Sequence, residues 1–314
     1  NFGVRGGICR LPFPTDTCEL PIMFATQSKT VLRLTLRAPA SASGRVAPRG
    51  FASLAAPLQA KVDGFCKDVE KHLPKDGKGA VFATAWLATD NVYVALMNKH
   101  FPEILNGMSL VAIDTLHLFP ETLVCAKEVE AKYGKKALWK LPKDVTTREE
   151  FISMYGDCED MDSADFDFVS KVEPFQRALA ECKKEILITG RRMDQAAQRI
   201  TLDVWEEGKS TLNPMANFSW EDIIAYVDAE GVPVNKGHNF AYRCNAPIEA
   251  TKRHLPDLPW TKVDLGKPFW QATPEELSGN PPAPVTYVFK SFGDIHTTVP
   301  VEPHESERAG RFVR

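Results

Sequence analysis

Residues 109–113 read Ser-Leu-Val-Ala-Ile and give way abruptly to Asp114. A strand this apolar on both faces has no side to turn toward water, so it belongs inside a sheet that helices cover above and below. The neighbouring sequence supplies those covers. Residues 54–73 and 89–100 carry apolar side chains at helical spacing, and 80–85 is a short strand between them. Residues 120–133 are again helical, with Gly134 as the stop, and 171–182 form a helix that feeds the apolar strand 185–189. Ser219, with Asp222 three residues on, has the form of an N-cap opening a helix that ends before Gly231. Strands alternating with helices in this way predict an α/β fold with a doubly wound, mostly parallel sheet.

Two stretches break the rhythm. Between Leu20 and Val62 there is no Asp or Glu, while Lys29, Arg33, Arg37, Arg45, Arg49 and Lys61 alternate with Ser, Thr, Ala and Leu. That composition makes 1–51 the expected leader and organelle transit peptide, with a mature start near Ala52. The address reads as mitochondrial, with a plastid as the alternative, and a basic tail has the same make-up. Residues 52–314 are then one domain. Prolines at 247, 256, 259, 268, 274, 281, 282 and 284 mark an expected insertion at about 244–286 that lacks a hydrophobic core of its own.

A net charge of −3 provides no global basic field, which argues against wholesale nucleic-acid binding; any anion must be held locally. No run approaches the roughly 18 apolar residues that cross a bilayer, so no membrane span is expected and the protein reads as soluble. The seven cysteines are scattered, with no C-x-x-C and no adjacent pair, which argues against an iron-sulfur cluster or a structural zinc site.

In an open parallel sheet, ligands bind beyond the carboxyl ends of the strands. Three such places are rich in polar groups: Asp114-Thr115 running on to Thr122, Gly190-Arg191-Arg192 with Gln195 and Arg199, and Gly293-Asp294-Ile295-His296-Thr297-Thr298 with Arg308 and Arg311 downstream. Glycine before paired arginines lets two guanidinium forks enter one crevice, a geometry suited to phosphate or sulfate. Spacing alone fits solvated surface arginines equally well. Taken singly, Thr115 fits a helix cap, and His296 fits a structural hydrogen-bonder better than a ligand contact.

In order along the chain these segments are Ile113-Asp114-Thr115-Leu116-His117-Leu118-Phe119-Pro120-Glu121-Thr122-Leu123, Lys171-Val172-Glu173-Pro174, Thr189-Gly190-Arg191-Arg192 with Gln195 and Arg199, Leu212-Asn213-Pro214, Gly293-Asp294-Ile295-His296-Thr297-Thr298 and Glu307-Arg308-Ala309-Gly310-Arg311. Over about 81–243 and 290–311 the chain resembles the phosphoadenylyl-sulfate (PAPS) and adenylyl-sulfate (APS) reductases, in particular the fungal-type branch without a cluster. The resemblance implies an adenine nucleotide α-hydrolase-like fold with a nucleotide lying across the strand ends. It implies Asp114 and Thr115 on the adenosine side and Lys171, Arg191, Arg192, Gln195, Arg199, His296 and Arg308 around phosphate and sulfate. Thr84, Gly190, Asp294 and Thr297 complete the expected substrate-binding set. It further implies thiol-dependent reduction of PAPS or APS to sulfite in sulfate assimilation, with thioredoxin or glutaredoxin as electron donor, no bound cofactor and, as is common in the family, a homodimer.

Three departures qualify the implied chemistry. The family's Glu-Cys-Gly-His-type motif, which carries the nucleophile, is not among the residues after Arg311, so no catalytic residue is assigned. Either that cysteine lies on a tail beyond Arg314, or the protein is a catalytically inactive nucleotide-binding homologue, a sensor or structural subunit; Cys244 is the least favoured substitute. The loop after the first strand reads Thr84-Ala85-Trp86-Leu87-Ala88-Thr89, with Leu87 where a glycine would let amides approach an oxyanion. The insertion at 244–286 splits a segment that the family runs straight through.

Overall fold

Residues 109–113 are buried as their composition demands, with Leu110, Val111 and Ala112 each 1% exposed inside a six-stranded sheet. The structure, a computed structural model, describes residues 54–254 and 259–313; the expected leader lies outside the described residues. Helix α1 (Ala56–His72) leads into β1 (Ala80–Thr84), α2 (Ala88–His100), α3 (Pro102–Gly107), β2 (Ser109–Ile113), α4 (Pro120–Tyr133) and β3 (Ala137–Lys140). Helices α5 (Arg148–Tyr155) and α6 (Ser163–Asp167), a π-helical turn (Phe168–Val172) and α7 (Glu173–Glu181) bring the chain to β4 (Ile186–Thr189). The short strands β5 (Trp205–Glu206) and β6 (Thr211–Leu212) precede α8 (Trp220–Glu230). The last part holds β7 (Phe240–Cys244), β8 (Thr261–Asp264), α9 (Pro274–Ser278) and β9 (Val285–Val288).

The sheet order is β3-β2-β1-β4-β6-β5, parallel throughout except for β5 against β6. This is the expected mixed α/β architecture with a mostly parallel sheet. The chain builds outward from β1 through β2 to β3, then returns to lay β4 on the other side of β1. The order therefore reverses between β1 and β4, and the crevice beyond their carboxyl ends is where a ligand has room. Period-two alternation splits each strand's side chains between two cores. Phe82, Leu110 and Ala112 join Phe65 and Val69 of α1 and Val129 of α4 in one, while Val81 and Val111 meet Ala178 of α7 in the other.

The local signals act as read. Gly134 ends α4 at φ 67°, in the left-handed region. At the start of α8 the Asp222 amide donates to Ser219 Oγ at 3.2 Å, and the Ser219 amide donates to Asp222 Oδ2 at 2.7 Å. The expected helix over 171–182 instead begins as the π-turn. Pro174 has no N–H for the Ser170 carbonyl, which favours a widened turn there and leaves Lys171 within it.

The described apolar residues of 244–286 pack onto a cluster built mainly by residues outside that segment. Its residues form β8, the edge of a second, antiparallel sheet of order β8-β7-β9, and supply Ile248, Trp260 and Val285 to a separate cluster around Phe119, Tyr242, Tyr287, Phe289 and Phe292. The pattern was hidden because only Val263 of β8 is shielded from solvent, so the strand shows no alternation of apolar and polar residues. Cys244 is buried in that cluster, where burial raises its thiol pKa, so it is no accessible substitute nucleophile.

Candidate functional site

The turn after β1 is set by Thr84, whose Oγ1 accepts the Trp86 amide at 3.0 Å while Trp86 takes a left-handed φ of 58°. Asp90, in the first turn of α2, folds back over this turn and accepts the Ala85 amide at 2.8 Å and the Leu87 amide at 3.3 Å. Loop amides of this kind ordinarily receive a ligand's oxyanion; here a carboxylate of the protein holds them. Burial lifts the Asp90 carboxyl to about 6, against the pull of the two amides. Gly190 is required beside it, since a Cβ there would overlap Asp90 Oδ1.

A cavity of about 380 Å³ opens beyond β1 and β2. Its walls are mostly apolar, from Ala83, Val111, Ile113, Val172, Phe175 and Phe292, and its polar side chains include Thr84, Thr115, Thr122, Lys171, Asp294 and Arg311. Thr115 Oγ1 donates to Asp294 Oδ1 at 2.5 Å, and Lys171 Nζ lies 2.8 Å from Asp294 Oδ2 and 2.5 Å from Asp167 Oδ1. Burial alone would raise the Asp294 carboxyl; Lys171 and Thr115 outweigh it and hold the group below the usual carboxylate range. The Thr297 hydroxyl and amide both donate to the Asp294 carbonyl, at 3.4 and 3.1 Å, closing the turn that presents this carboxylate.

The arginines divide into three kinds. Arg191 turns to β5, where it pairs with Glu206, and its Nε donates to Thr189 Oγ1 at 3.0 Å. Arg192 is fully buried; it donates to Thr89, to Asp194 at 2.9 Å and to Glu307 at 2.5 Å. Arg199 donates to Gln195 Oε1, an oxygen that also accepts the Arg192 amide at 3.2 Å. Arg199, Arg308 and Arg311 have no carboxylate within ion-pair distance among the described residues. Burial, and then Arg308, pull Arg199 and Arg311 down to about 10, and burial lowers Arg308 as well. Arg311 reaches the cavity wall, with Nη1 donating to Ser291 Oγ at 2.9 Å and to the Phe292 carbonyl at 2.7 Å while its buried Nε has no partner. These three are a cationic cluster beside an apolar cavity, an arrangement suited to a ligand with an uncharged ring at one end and anionic groups at the other.

Thr84, Thr115, Lys171 and Asp294 thus line the cavity, and Arg199 and Arg308 adjoin it through Arg311. Other expected site residues lie elsewhere. Asp114 lines a separate cavity of about 220 Å³ with Trp139 and Glu130, and its carboxylate accepts the Leu116 amide at 2.9 Å. His296 packs its ring against Phe166 at 4.5 Å and His117 at 5.4 Å. Gly190, Arg191 and Arg192 shape the surroundings. Arg311, Asp90 and Glu307 were absent from the expected set. The pairing of two arginines across Ala-Gly was the available signal for Arg311; Asp90 acts on amides three and five residues before it, as a carboxylate in a helix's first turn can, whereas Glu307 acts through Arg192, 115 residues away.

The phosphoadenosine phosphosulfate reductase domain matches residues 80–300, and the chain belongs to that family. The phosphoadenosine phosphosulfate reductase of Saccharomyces cerevisiae is 30% identical over 241 residues, which cover 74% of this chain and 72% of that protein. The corresponding protein of Emericella nidulans is 30% identical over 234 residues, 73% of this chain and 61% of that one. A crystal structure of PAPS reductase from Candida auris, a phosphate complex, is 31% identical and covers 60% of this chain and 92% of its own, with a TM-score of 0.45.

Proposed function

We propose that this protein binds an adenylylated sulfate nucleotide, PAPS or APS, and serves its reduction to sulfite in sulfate assimilation. The observation that carries the reading is the cluster of Arg199, Arg308 and Arg311, none of them in a salt bridge among the described residues, with Arg311 in the wall of an apolar cavity. The cavity takes the adenosine, and the guanidinium groups neutralise the phosphate and sulfate oxygens. In the reaction a thiolate attacks the sulfate sulfur. The sulfur–oxygen bond to the nucleotide breaks, leaving a cysteinyl thiosulfonate and the free nucleotide. A dithiol donor, thioredoxin or glutaredoxin, then attacks the cysteinyl sulfur; sulfite departs, and the donor's two electrons end as a disulfide. No cysteine among the described residues lines the cavity, so the attacking thiol is supplied from outside them. We assign the reaction to an organelle on the composition of residues 1–51.

The test is calorimetric titration with adenosine 3′,5′-bisphosphate and adenosine 5′-monophosphate, followed by a sulfite-release assay with PAPS or APS and reduced thioredoxin. Micromolar binding of one nucleotide and thioredoxin-dependent sulfite are expected. Absence of binding of either at millimolar concentration overturns the site; binding with no sulfite from the full-length protein overturns the reaction and leaves a nucleotide-binding homologue.

A further inference from the structure

Arg192 carries two features that a ligand-binding arginine does not combine. It is 0% exposed, and its guanidinium already donates to Thr89, Asp194 and Glu307, with its plane 5.9 Å from the Trp220 ring. Its charge is therefore spent inside the protein. The partner that matters most is Glu307, itself only 7% exposed and the immediate chain neighbour of Arg308. From Glu307 the chain turns tightly, with the Arg311 amide donating to the Arg308 carbonyl at 3.0 Å. The far side of the turn is docked by backbone: the Val299 amide donates to the Gly310 carbonyl at 2.9 Å, and a Cβ on Gly310 would overlap the Val299 carbonyl oxygen. The near side has the Glu307–Arg192 pair.

This turn carries Arg308 and Arg311, and the Arg308 charge lowers the proton affinity of both Arg311 and Arg199, against the opposite pull of Glu307. Like charges gathered on one turn push it outward unless something holds it. We infer that the Arg192–Glu307 ion pair is a positioning device: it anchors the Glu307–Arg311 turn so that Arg308 and Arg311 stay at the anion end of the nucleotide site despite their mutual repulsion. Neither member touches the ligand. Arg192 acts through Glu307, and Glu307 acts through the backbone of its neighbour. The inference rests on the proposed nucleotide site and specifies what preorganises its anionic half.

The experiment separates the two ends of the ligand. Wild-type protein is titrated with adenosine 3′,5′-bisphosphate and with adenosine, and so are Glu307→Gln, which keeps size and hydrogen bond but not charge, and Glu307→Asp, which keeps charge but withdraws the carboxylate by one methylene. All titrations run well below the midpoint of thermal unfolding of each variant. Glu307→Gln is expected to weaken the bisphosphate about tenfold while adenosine changes less than twofold, with Glu307→Asp between it and wild type. A cycle with Arg192→Met is expected to be non-additive, the double variant binding the bisphosphate no more weakly than the worse single one. Unchanged bisphosphate affinity in both Glu307 variants overturns the inference, as does a parallel loss of adenosine or a failure of both variants to fold, since each of these makes the pair purely structural. If wild type itself binds the bisphosphate no better than adenosine, it is the proposed site that fails.

Discussion

The loop after β1 and the arginine cluster treat negative charge in opposite ways. At the loop, two backbone amides converge on a point, and the protein's own Asp90 carboxylate fills it. At the cluster, none of Arg199, Arg308 and Arg311 is in a salt bridge among the described residues, the nearby Glu307 being paired with Arg192. One anion site is closed from within and the other is left open. On the proposed function, the difference gives a bound nucleotide its polarity, with the uncharged end in the apolar cavity beside the loop and the anionic end against the guanidinium groups. The substitution expected to damage this assignment most is Arg311→Ala. It removes a charge-assisted partner at the cavity wall, which is worth roughly 2–3 kcal/mol, so affinity for adenosine 3′,5′-bisphosphate should fall by about 30- to 100-fold in calorimetric titration. A loss of less than threefold would place the anion elsewhere.

Closing the loop from within has a stability consequence. The Asp90 carboxyl titrates near 6 in the folded protein because of burial, above its value in the unfolded chain. The folded state then binds the proton more tightly, so stability is fullest at acid pH and declines as pH rises through the interval from about 4 to 6. Asp90→Asn removes the ionisation and keeps one oxygen for the Ala85 amide. It should raise stability at pH 7 by roughly 1–2 kcal/mol, read as a higher unfolding midpoint in urea, with the gain shrinking as pH falls toward 4. Nucleotide affinity should change less than twofold. A gain that persists at pH 4 would show that the ionised carboxylate is not its source.

How much of this was visible in the sequence follows from the range of the contacts. The central strands and their covering helices were legible because apolar periodicity, Gly134 and the Ser219–Asp222 cap are signals written within a few residues of where they act. The cavity's Thr84, Thr115, Lys171 and Asp294 were legible as polar residues at strand ends or in motifs shared with the family. What stayed hidden were partnerships across the chain. Arg191 and Arg192 are adjacent and identical in type, yet one reaches Glu206 and the other Glu307. No local pattern distinguishes them. The antiparallel sheet was missed for the same reason, since β8 is an exposed edge paired only through distant β7.

A smaller effect is expected where the cavity's own charges are matched. Thr115→Val takes one hydrogen bond from the buried Asp294 carboxylate while Lys171 remains in place, which should lower stability by about 1 kcal/mol. Because the Asp294 carboxyl is held below the unfolded range, its contribution is present above that range and is lost as pH falls through the folded value. The deficit of the variant should therefore be full at pH 7 and fade only in strong acid, the reverse of the trend at Asp90. Opposite slopes from two buried carboxylates in one molecule would confirm that one faces amides in a dry turn and the other faces a lysine.

Arg191→Ala should have the smallest effect on binding and therefore bears most directly on the division among the arginines. From the sequence, Arg191 and Arg192 fit equally two forks entering one crevice or solvated surface arginines; in the structure Arg191 is paired with Glu206, which hydrogen bonds from Lys209 and Asn213, with Arg191 beside them, hold down to about 2. Glu206 keeps Lys209 at 2.7 Å and Asn213 at 2.8 Å after Arg191 is removed, so no carboxylate is stranded. A half-buried, solvent-reachable ion pair of this kind contributes about 1 kcal/mol at most. Bisphosphate affinity should stay within twofold of wild type at low salt, where any direct charge contact would be strongest. A tenfold loss would mean that ligand binding draws Arg191 away from Glu206 into the cluster, and the open site would then contain a fourth guanidinium.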